Sequence, residues 1–145
     1  MKSYNLSEIK KIALEVKGVI DKKSNTKEAT IVTLSGDLGA GKTTLTKELA
    51  KTLGVSGDII SPTFVIMKKY KTKNLKFKNL IHIDAYRLNN SEELFNLGWS
   101  EIIKEKNNLI ILEWPEIVDG CLKGGEIKVV LGHQDEKNRT LEILV

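Results

Sequence analysis

The sequence predicts an α/β fold, a single domain whose mixed, mostly parallel central sheet is flanked by helices. Three observations carry that expectation. The β-branched run Ala29-Thr30-Ile31-Val32-Thr33-Leu34 passes through a glycine-rich loop into a stretch of helical periodicity. Leu109-Ile110-Ile111-Leu112 sets four large aliphatics in a row, and such a strand has no polar side to turn to water, so it belongs at the centre of a parallel sheet. Two pairs of strand-like segments joined by polar turns then add antiparallel hairpins. At 145 residues the chain suits one domain with a substantial core.

In chain order, residues 6–20 place Leu6, Ile9, Ile12, Ala13, Val16 and Ile20 at helical spacing. Ser7 stands where a cap is needed and Glu8 falls in the first turn, which predicts an amphipathic helix against the sheet. Residues 21–26 form a polar loop that leads into the first core strand.

Ser35-Gly36-Asp37-Leu38-Gly39-Ala40-Gly41-Lys42-Thr43-Thr44 fits G-x-x-x-x-G-K-[ST], the phosphate-cradling loop between a strand and a helix. Glycines at 36, 39 and 41 let backbone N–H groups turn inward, and the helix behind them adds positive potential. A polyphosphate is therefore held largely by the backbone of Gly36, Asp37, Leu38, Gly39, Ala40, Gly41 and Thr44. Lys42 is placed to reach the β- and γ-phosphates, and the Thr43 hydroxyl to ligate Mg²⁺. Leu45, Leu49, Ala50 and Leu53 share one helix face, and Gly54 supplies the stop. The expected fold is thus P-loop NTPase-like.

Residues 54–58 read as a loop, followed by Ser61-Pro62-Thr63-Phe64. A threonine on a loop facing the γ-phosphate can complete the Mg²⁺ shell and sense triphosphate, which makes Thr63 a candidate; Ser-Pro-Thr is equally an ordinary turn. Residues 64–70 and 75–84 read as a hairpin joined by a lysine-rich turn, and its second strand ends in Asp84. An acid there can serve a Mg²⁺-bound water or act as a base toward an attacking water. His82, between apolar neighbours, reads as a hydrogen-bonded core histidine rather than a metal ligand. Arg87 is placed to pair with a carboxylate or to face phosphate.

Residues 90–98 carry a cap, early acids and a glycine stop, hence a short helix. Residues 100–104 continue helically, and Trp99 packs in the core. The aliphatic strand 108–113 ends in Glu113, where open α/β sheets bind ligands, and it resembles a Walker B strand with Glu for the usual Asp. Residues 114–119 predict a turn or short helix stopped at Gly120. Residues 126–131 and 140–145 predict a closing antiparallel hairpin.

Composition narrows the function classes. Hydrophobic residues make up 41% and charged residues 29% of the chain, as in globular proteins. No apolar run approaches the ~20 residues of a membrane helix, and Met1-Lys2-Ser3-Tyr4-Asn5 opens no signal core. The cytoplasm is the expected compartment, and neither a membrane nor DNA is expected as a partner. Cys121, the single cysteine, excludes an internal disulfide and reads as inert. The net charge of +4 is carried almost entirely by lysine, with Arg87 and Arg139 the only arginines. Lysines across residues 68–78 suit either RNA contact or a solvated hairpin.

The motifs Gly36-Asp37-Leu38-Gly39-Ala40-Gly41-Lys42-Thr43-Thr44, Ser61-Pro62-Thr63-Phe64, His82-Ile83-Asp84-Ala85-Tyr86-Arg87-Leu88 and Leu112-Glu113-Trp114-Pro115-Glu116 follow in this order. In that succession the chain resembles the bacterial TsaE (YjeE) family, the ATPase component of tRNA threonylcarbamoyladenosine (t6A) biosynthesis. The resemblance implies an ATPase using ATP and Mg²⁺ that acts on the TsaB–TsaD pair and meets tRNA only through that complex. TsaD, not this subunit, would transfer the threonylcarbamoyl group to adenosine 37. It further implies phosphate binding by Lys42 and the loop amides, Mg²⁺ binding by Thr43 and Glu113, and water positioning by Asp84. Thr63 would be a sensor, Trp114 and Arg139 would contact the nucleotide, and Ser7 would lie near adenine.

Two other readings are open from the residues alone. A small P-loop kinase ordinarily brings several arginines to its second substrate, and here there are two. A nucleotide-gated binding subunit would use ATP occupancy to control assembly. A GTPase would need an Asn-Lys-x-Asp stretch, which the sequence lacks.

Overall fold

The computed structural model of the chain describes residues 1–23, 27–57, 59 and 65–145. In order these form β1 (Lys2–Asn5), a 3-10 turn (Leu6–Glu8), α1 (Ile9–Lys23), β2 (Thr30–Ser35), α2 (Lys42–Thr52), β3 (Met67–Lys71) and β4 (Asn79–Asp84). A 3-10 turn (Ala85–Arg87), α3 (Ser91–Asn96), α4 (Trp99–Ile102), β5 (Asn108–Glu113), a second 3-10 stretch (Pro115–Cys121), β6 (Ile127–His133) and β7 (Asn138–Leu144) follow.

The strands make one seven-stranded sheet in the order β1-β7-β6-β2-β5-β4-β3. Pairings β2–β5, β2–β6 and β4–β5 are parallel, while β3–β4, β6–β7 and β1–β7 are antiparallel. This is the mixed, mostly parallel α/β sheet expected of the sequence, with antiparallel hairpins at its two sides.

The aliphatic run of β5 sits between β2 and β4 and divides its side chains between two cores. Leu109 and Ile111 pack with Val32, Leu34, Leu80 and the apolar faces of α1 (Ile12, Ala13, Val16, Ile20) and α2 (Leu45, Leu49, Ala50). Ile110 and Leu112 pack on the other side with Ile81, Ile83, Leu94 of α3, Trp99 of α4 and Val118. Period-two alternation thus buries every residue of the strand.

Local structure departs from the sequence expectation at several element ends, α1 running on to Lys23 and β3 beginning at Met67, and in three places the physical cause is visible. The first helix is preceded by strand β1 and is capped by Asn5, not Ser7. The Asn5 side chain accepts from the Ser7 N–H while the Glu8 carboxylate accepts from the Asn5 N–H, so two donors are satisfied reciprocally. In the lysine hairpin β4 starts at Asn79, not at 75. The Asn74 side chain accepts from the N–H groups of Lys76 and Phe77, Thr72 bonds the Phe77 carbonyl, and Leu75 is fully exposed on the resulting turn. The stretch after β5 runs through Gly120 to Cys121, and a Cβ at Gly120 would lie 2.8 Å from the Ser91 hydroxyl. That glycine serves close packing against α3 rather than termination. The expected core roles hold elsewhere: Trp99 is buried and donates its indole N–H to the Cys121 carbonyl at 3.2 Å, and burial raises the Cys121 thiol above its usual pKa.

Candidate active site

The parallel register places three strand ends side by side. Leu34 pairs with Glu113, and Asp84 pairs with Glu113 from the other side, so the loop after β2 and both strand-end carboxylates face one cleft. Leu38, Gly39, Gly41, Lys42, Thr43 and Thr44 supply one wall of that cleft. Asp84, Tyr86, Glu113 and Trp114 supply the other. This is the carboxyl edge of the parallel strands, where open α/β sheets receive ligands.

The loop owes its shape to glycines of positive φ at 36, 39 and 41. Gly36 has φ +146°, and a Cβ there would sit 2.3 Å from the Leu131 carbonyl oxygen on β6, so no side chain fits. Gly41 occupies the position before α2 in the left-handed region, with φ 102°, and offers no side-chain cap. The first-turn N–H groups of α2 therefore carry the positive end of the helix toward the cleft without a protein cap. Buried Tyr4 of β1 lies under this turn, with its hydroxyl 4.0 Å from where a Gly41 Cβ would be. Burial raises the Tyr4 pKa, against an opposing effect of Arg139.

Lys42 crosses the cleft floor. Its ammonium donates to the carbonyls of Gly36 (2.6 Å) and Asp37 (3.0 Å) and lies 4.3 Å from the centre of the Trp114 ring, a cation–π arrangement. Burial lowers its pKa, while the carboxylates of Glu113, Asp84, Glu116 and Asp37 act in the opposite sense. Trp114 reaches Lys42 because its own backbone is left-handed, with φ 60° and ψ 51°, an uncommon conformation for a bulky residue. Tyr86 leans on the same indole at 5.0 Å and 45°.

Glu113 is almost fully buried at 2% exposure, which a carboxylate tolerates only with partners. Its Oε2 lies 2.5 Å from His82 Nε2, and each carboxylate oxygen lies 3.3 Å from the Thr43 hydroxyl. His82 is thus the hydrogen-bonded core histidine its neighbours suggested. Asp84 is half-buried and accepts from the Tyr86 N–H at 3.0 Å. Burial raises its pKa, with Glu113 adding to the rise and the Tyr86 bond, His82 and Lys42 opposing it. A hydroxyl beside a carboxylate is a hard-oxygen donor set suited to Mg²⁺. Among the described residues no three His, Cys, Asp or Glu side chains converge as a metal site, so a cation here would need oxygens from a bound phosphate.

Arg139 stands outside the cleft wall, donating to the carbonyls of Gly39 (3.3 Å), Asp135 (2.6 Å) and Asn138 (3.0 Å). Ser7 is exposed and does not line the cleft. Thr63 and its Ser-Pro-Thr-Phe motif lie outside the described residues. Sequence reasoning missed Tyr86 as a cleft residue and Tyr4 as the support beneath the loop. Tyr86 follows an acid at a strand end by two positions, a signal that was available. Nothing in Lys-Ser-Tyr-Asn marks Tyr4. A second cleft, near Ala29, Thr30, Cys121 and Glu126, opens at the amino ends of β2 and β6, away from the phosphate loop.

A family model described as "Threonylcarbamoyl adenosine biosynthesis protein TsaE" matches residues 5–141. The chain belongs to the TsaE family. A TsaE protein of Rickettsia felis is 43% identical over 79% of this chain, and the match spans 64% of that protein. One from Rickettsia typhi is 42% identical over 82% of this chain and 80% of its own length. Both carry the description "tRNA threonylcarbamoyladenosine biosynthesis protein TsaE". A crystal structure of Bacillus subtilis YdiB covers 98% of this chain and 83% of its own, with a TM-score of 0.69 and 26% identity. TsaE membership and the P-loop NTPase-like sheet accord with the expectation drawn from the four motifs. Among the described residues no helix is long and apolar enough to cross a membrane.

Proposed function

We propose that the protein, acting as one P-loop domain in the cytoplasm, binds and hydrolyses Mg²⁺-ATP to support the TsaB–TsaD pair in threonylcarbamoyl modification of tRNA adenosine 37. The observation that carries this reading is the meeting of Thr43 and Glu113 beside the phosphate loop, hydroxyl against carboxylate at 3.3 Å. Family membership supplies the pathway.

In this reading the loop amides and the α2 N-terminus bind the phosphates. The Lys42 ammonium, placed among loop carbonyls, neutralises charge as it builds on the γ-phosphoryl oxygens. Thr43 and Glu113 would hold Mg²⁺, which supplies charge neutralisation at the phosphoryl oxygens when bound. Asp84 orients the attacking water, and a carboxyl whose pKa burial has raised accepts a proton more readily than an ordinary one. Trp114 and Tyr86 form an aromatic wall that limits water at the cleft edge. Arg139 braces the loop through the Gly39 carbonyl, and Thr63 is retained as the triphosphate sensor on sequence grounds.

The test measures phosphate release with Mg²⁺, for the protein alone and after addition of TsaB–TsaD and tRNA, with modified adenosine read in the same samples. Low turnover alone that rises with the partners, together with repeated rounds of modification that stop in Lys42→Ala, is the expected result. Turnover indifferent to the partners, with modification unaffected, overturns the proposal and favours the metabolite kinase.

A further inference from the structure

We infer that His82 is a positioning residue for Glu113, fixing the carboxylate that would serve Mg²⁺ in the reading above. The inference rests on that reading and adds a residue to it. In the parallel register His82 and Asp84 of β4 share a sheet face with Ile111 and Glu113 of β5, the face covered by α1 and α2. Leu80, Leu109 and Ile111 on that face pack in an apolar core, and an imidazole among them is out of place on packing grounds alone.

Its hydrogen bonding explains its presence. His82 is fully buried, and its Nε2 lies 2.5 Å from Glu113 Oε2. A carboxylate only accepts, so Nε2 donates. The other ring nitrogen, Nδ1, is buried with no hydrogen-bond partner among the described residues. A buried orphan of this kind is costly, so the ring sits at this point for the one bond it makes. The Thr43 contacts, at 3.3 Å to each oxygen, leave the carboxylate free to turn about its last bond. Donation from a strand-borne imidazole removes that freedom and directs the carboxylate toward the first turn of α2. Partners of this type set the orientation and basicity of carboxylate ligands without touching the metal.

The experiment measures the Kd of the non-hydrolysed analogue AMP-PNP by calorimetry, with Mg²⁺ and with EDTA. It uses wild type, His82→Gln, His82→Asn, His82→Leu, Thr43→Val and Glu113→Gln, with a thermal melt of each. A glutamine amide reaches about as far as Nε2, whereas an asparagine amide stops near Nδ1. His82→Leu and His82→Asn are expected to lose about ten- to hundredfold of the affinity gained from Mg²⁺, with the EDTA value unchanged, and His82→Gln to keep most of it. Should His82→Leu fail to fold, the contrast between the glutamine and asparagine variants decides. A wild-type Mg²⁺ gain in His82→Asn, or equal losses with Mg²⁺ and EDTA, overturns the inference and leaves His82 a packing residue. In that case Thr43→Val and Glu113→Gln still lose the gain and the Mg²⁺-ATP reading stands. If wild type shows no Mg²⁺ gain at all, the reading and the inference fall together.

Discussion

The Thr43 hydroxyl meets both carboxylate oxygens of Glu113 at 3.3 Å, across 70 residues of sequence. Thr43 stands in the first turn of α2 and Glu113 closes β5, and the β2–β5 register that pairs Leu34 with Glu113 brings them together. Removing either partner is expected to cripple chemistry more than folding. Thr43→Val keeps the shape and deletes the hydroxyl, and Glu113→Gln keeps the shape and deletes the charge. Each should lower phosphate release by about 10²- to 10³-fold, the usual effect of losing one group that stabilises transition-state charge. Raising Mg²⁺ should recover part of the rate. Near-wild-type turnover at limiting Mg²⁺ in both variants would remove the metal assignment.

Burial raises the pKa of Asp84, which ties the charge of this carboxyl to the stability of the fold. A carboxyl whose pKa is higher folded than unfolded favours the folded state while protonated, and that advantage is lost as pH rises from the unfolded value through the folded one. At neutral pH the charged form therefore burdens the fold. Asp84→Asn keeps an oxygen that can accept from the Tyr86 N–H and carries no charge. It should melt above wild type at pH 7, by a margin that shrinks as pH falls through the carboxylate range, while binding ATP and hydrolysing it poorly. Melts across that range check the sign, and lost ATP binding would make Asp84 a ligand instead.

Gly36 is where the phosphate loop crosses β6. With φ +146° and the Leu131 carbonyl oxygen 2.3 Å from any added Cβ, Gly36→Ala must displace the strand, the loop or both. The backbone conformation alone costs about 1–3 kcal/mol, and urea denaturation should show at least that loss. Gly18, inside α1, is the control, because a methyl added there would meet nothing within 4 Å. Gly18→Ala should gain about 0.5–1 kcal/mol. Equal effects at the two positions would refute the close-approach argument.

The parts of the fold legible in sequence are those whose signal is local. Four aliphatics in β5 require cover on both sides, and the glycine-lysine loop requires a strand before it and a helix after it. Strand β1 escaped because Lys-Ser-Tyr-Asn carries no apolar alternation; it exists through pairing with β7, Tyr4 opposite Arg139. The hairpin ends shifted because Asn74 and Thr72 close a turn that composition alone extends into strand. In the site, Lys42, Thr43, Asp84 and Glu113 were readable from motif and position. The bond between His82 and Glu113 was not, since it depends on which strands are neighbours and in what register. Nor was the left-handed Trp114, whose conformation directs its ring over Lys42.

Trp114 offers a direct optical test, because the chain has only two tryptophans. Trp99 is buried in the core behind β5, its indole N–H held by the Cys121 carbonyl. Trp114 lines the cleft with its ring 4.3 Å from the Lys42 ammonium. Phosphates that draw on that ammonium change the charge against the indole face, and emission should follow. Mg²⁺-ATP is therefore expected to shift tryptophan fluorescence in wild type and in Trp99→Phe, and to leave Trp114→Phe unchanged. A fluorescence response that persists in Trp114→Phe would place the nucleotide away from this ring and withdraw Trp114 from the binding residues.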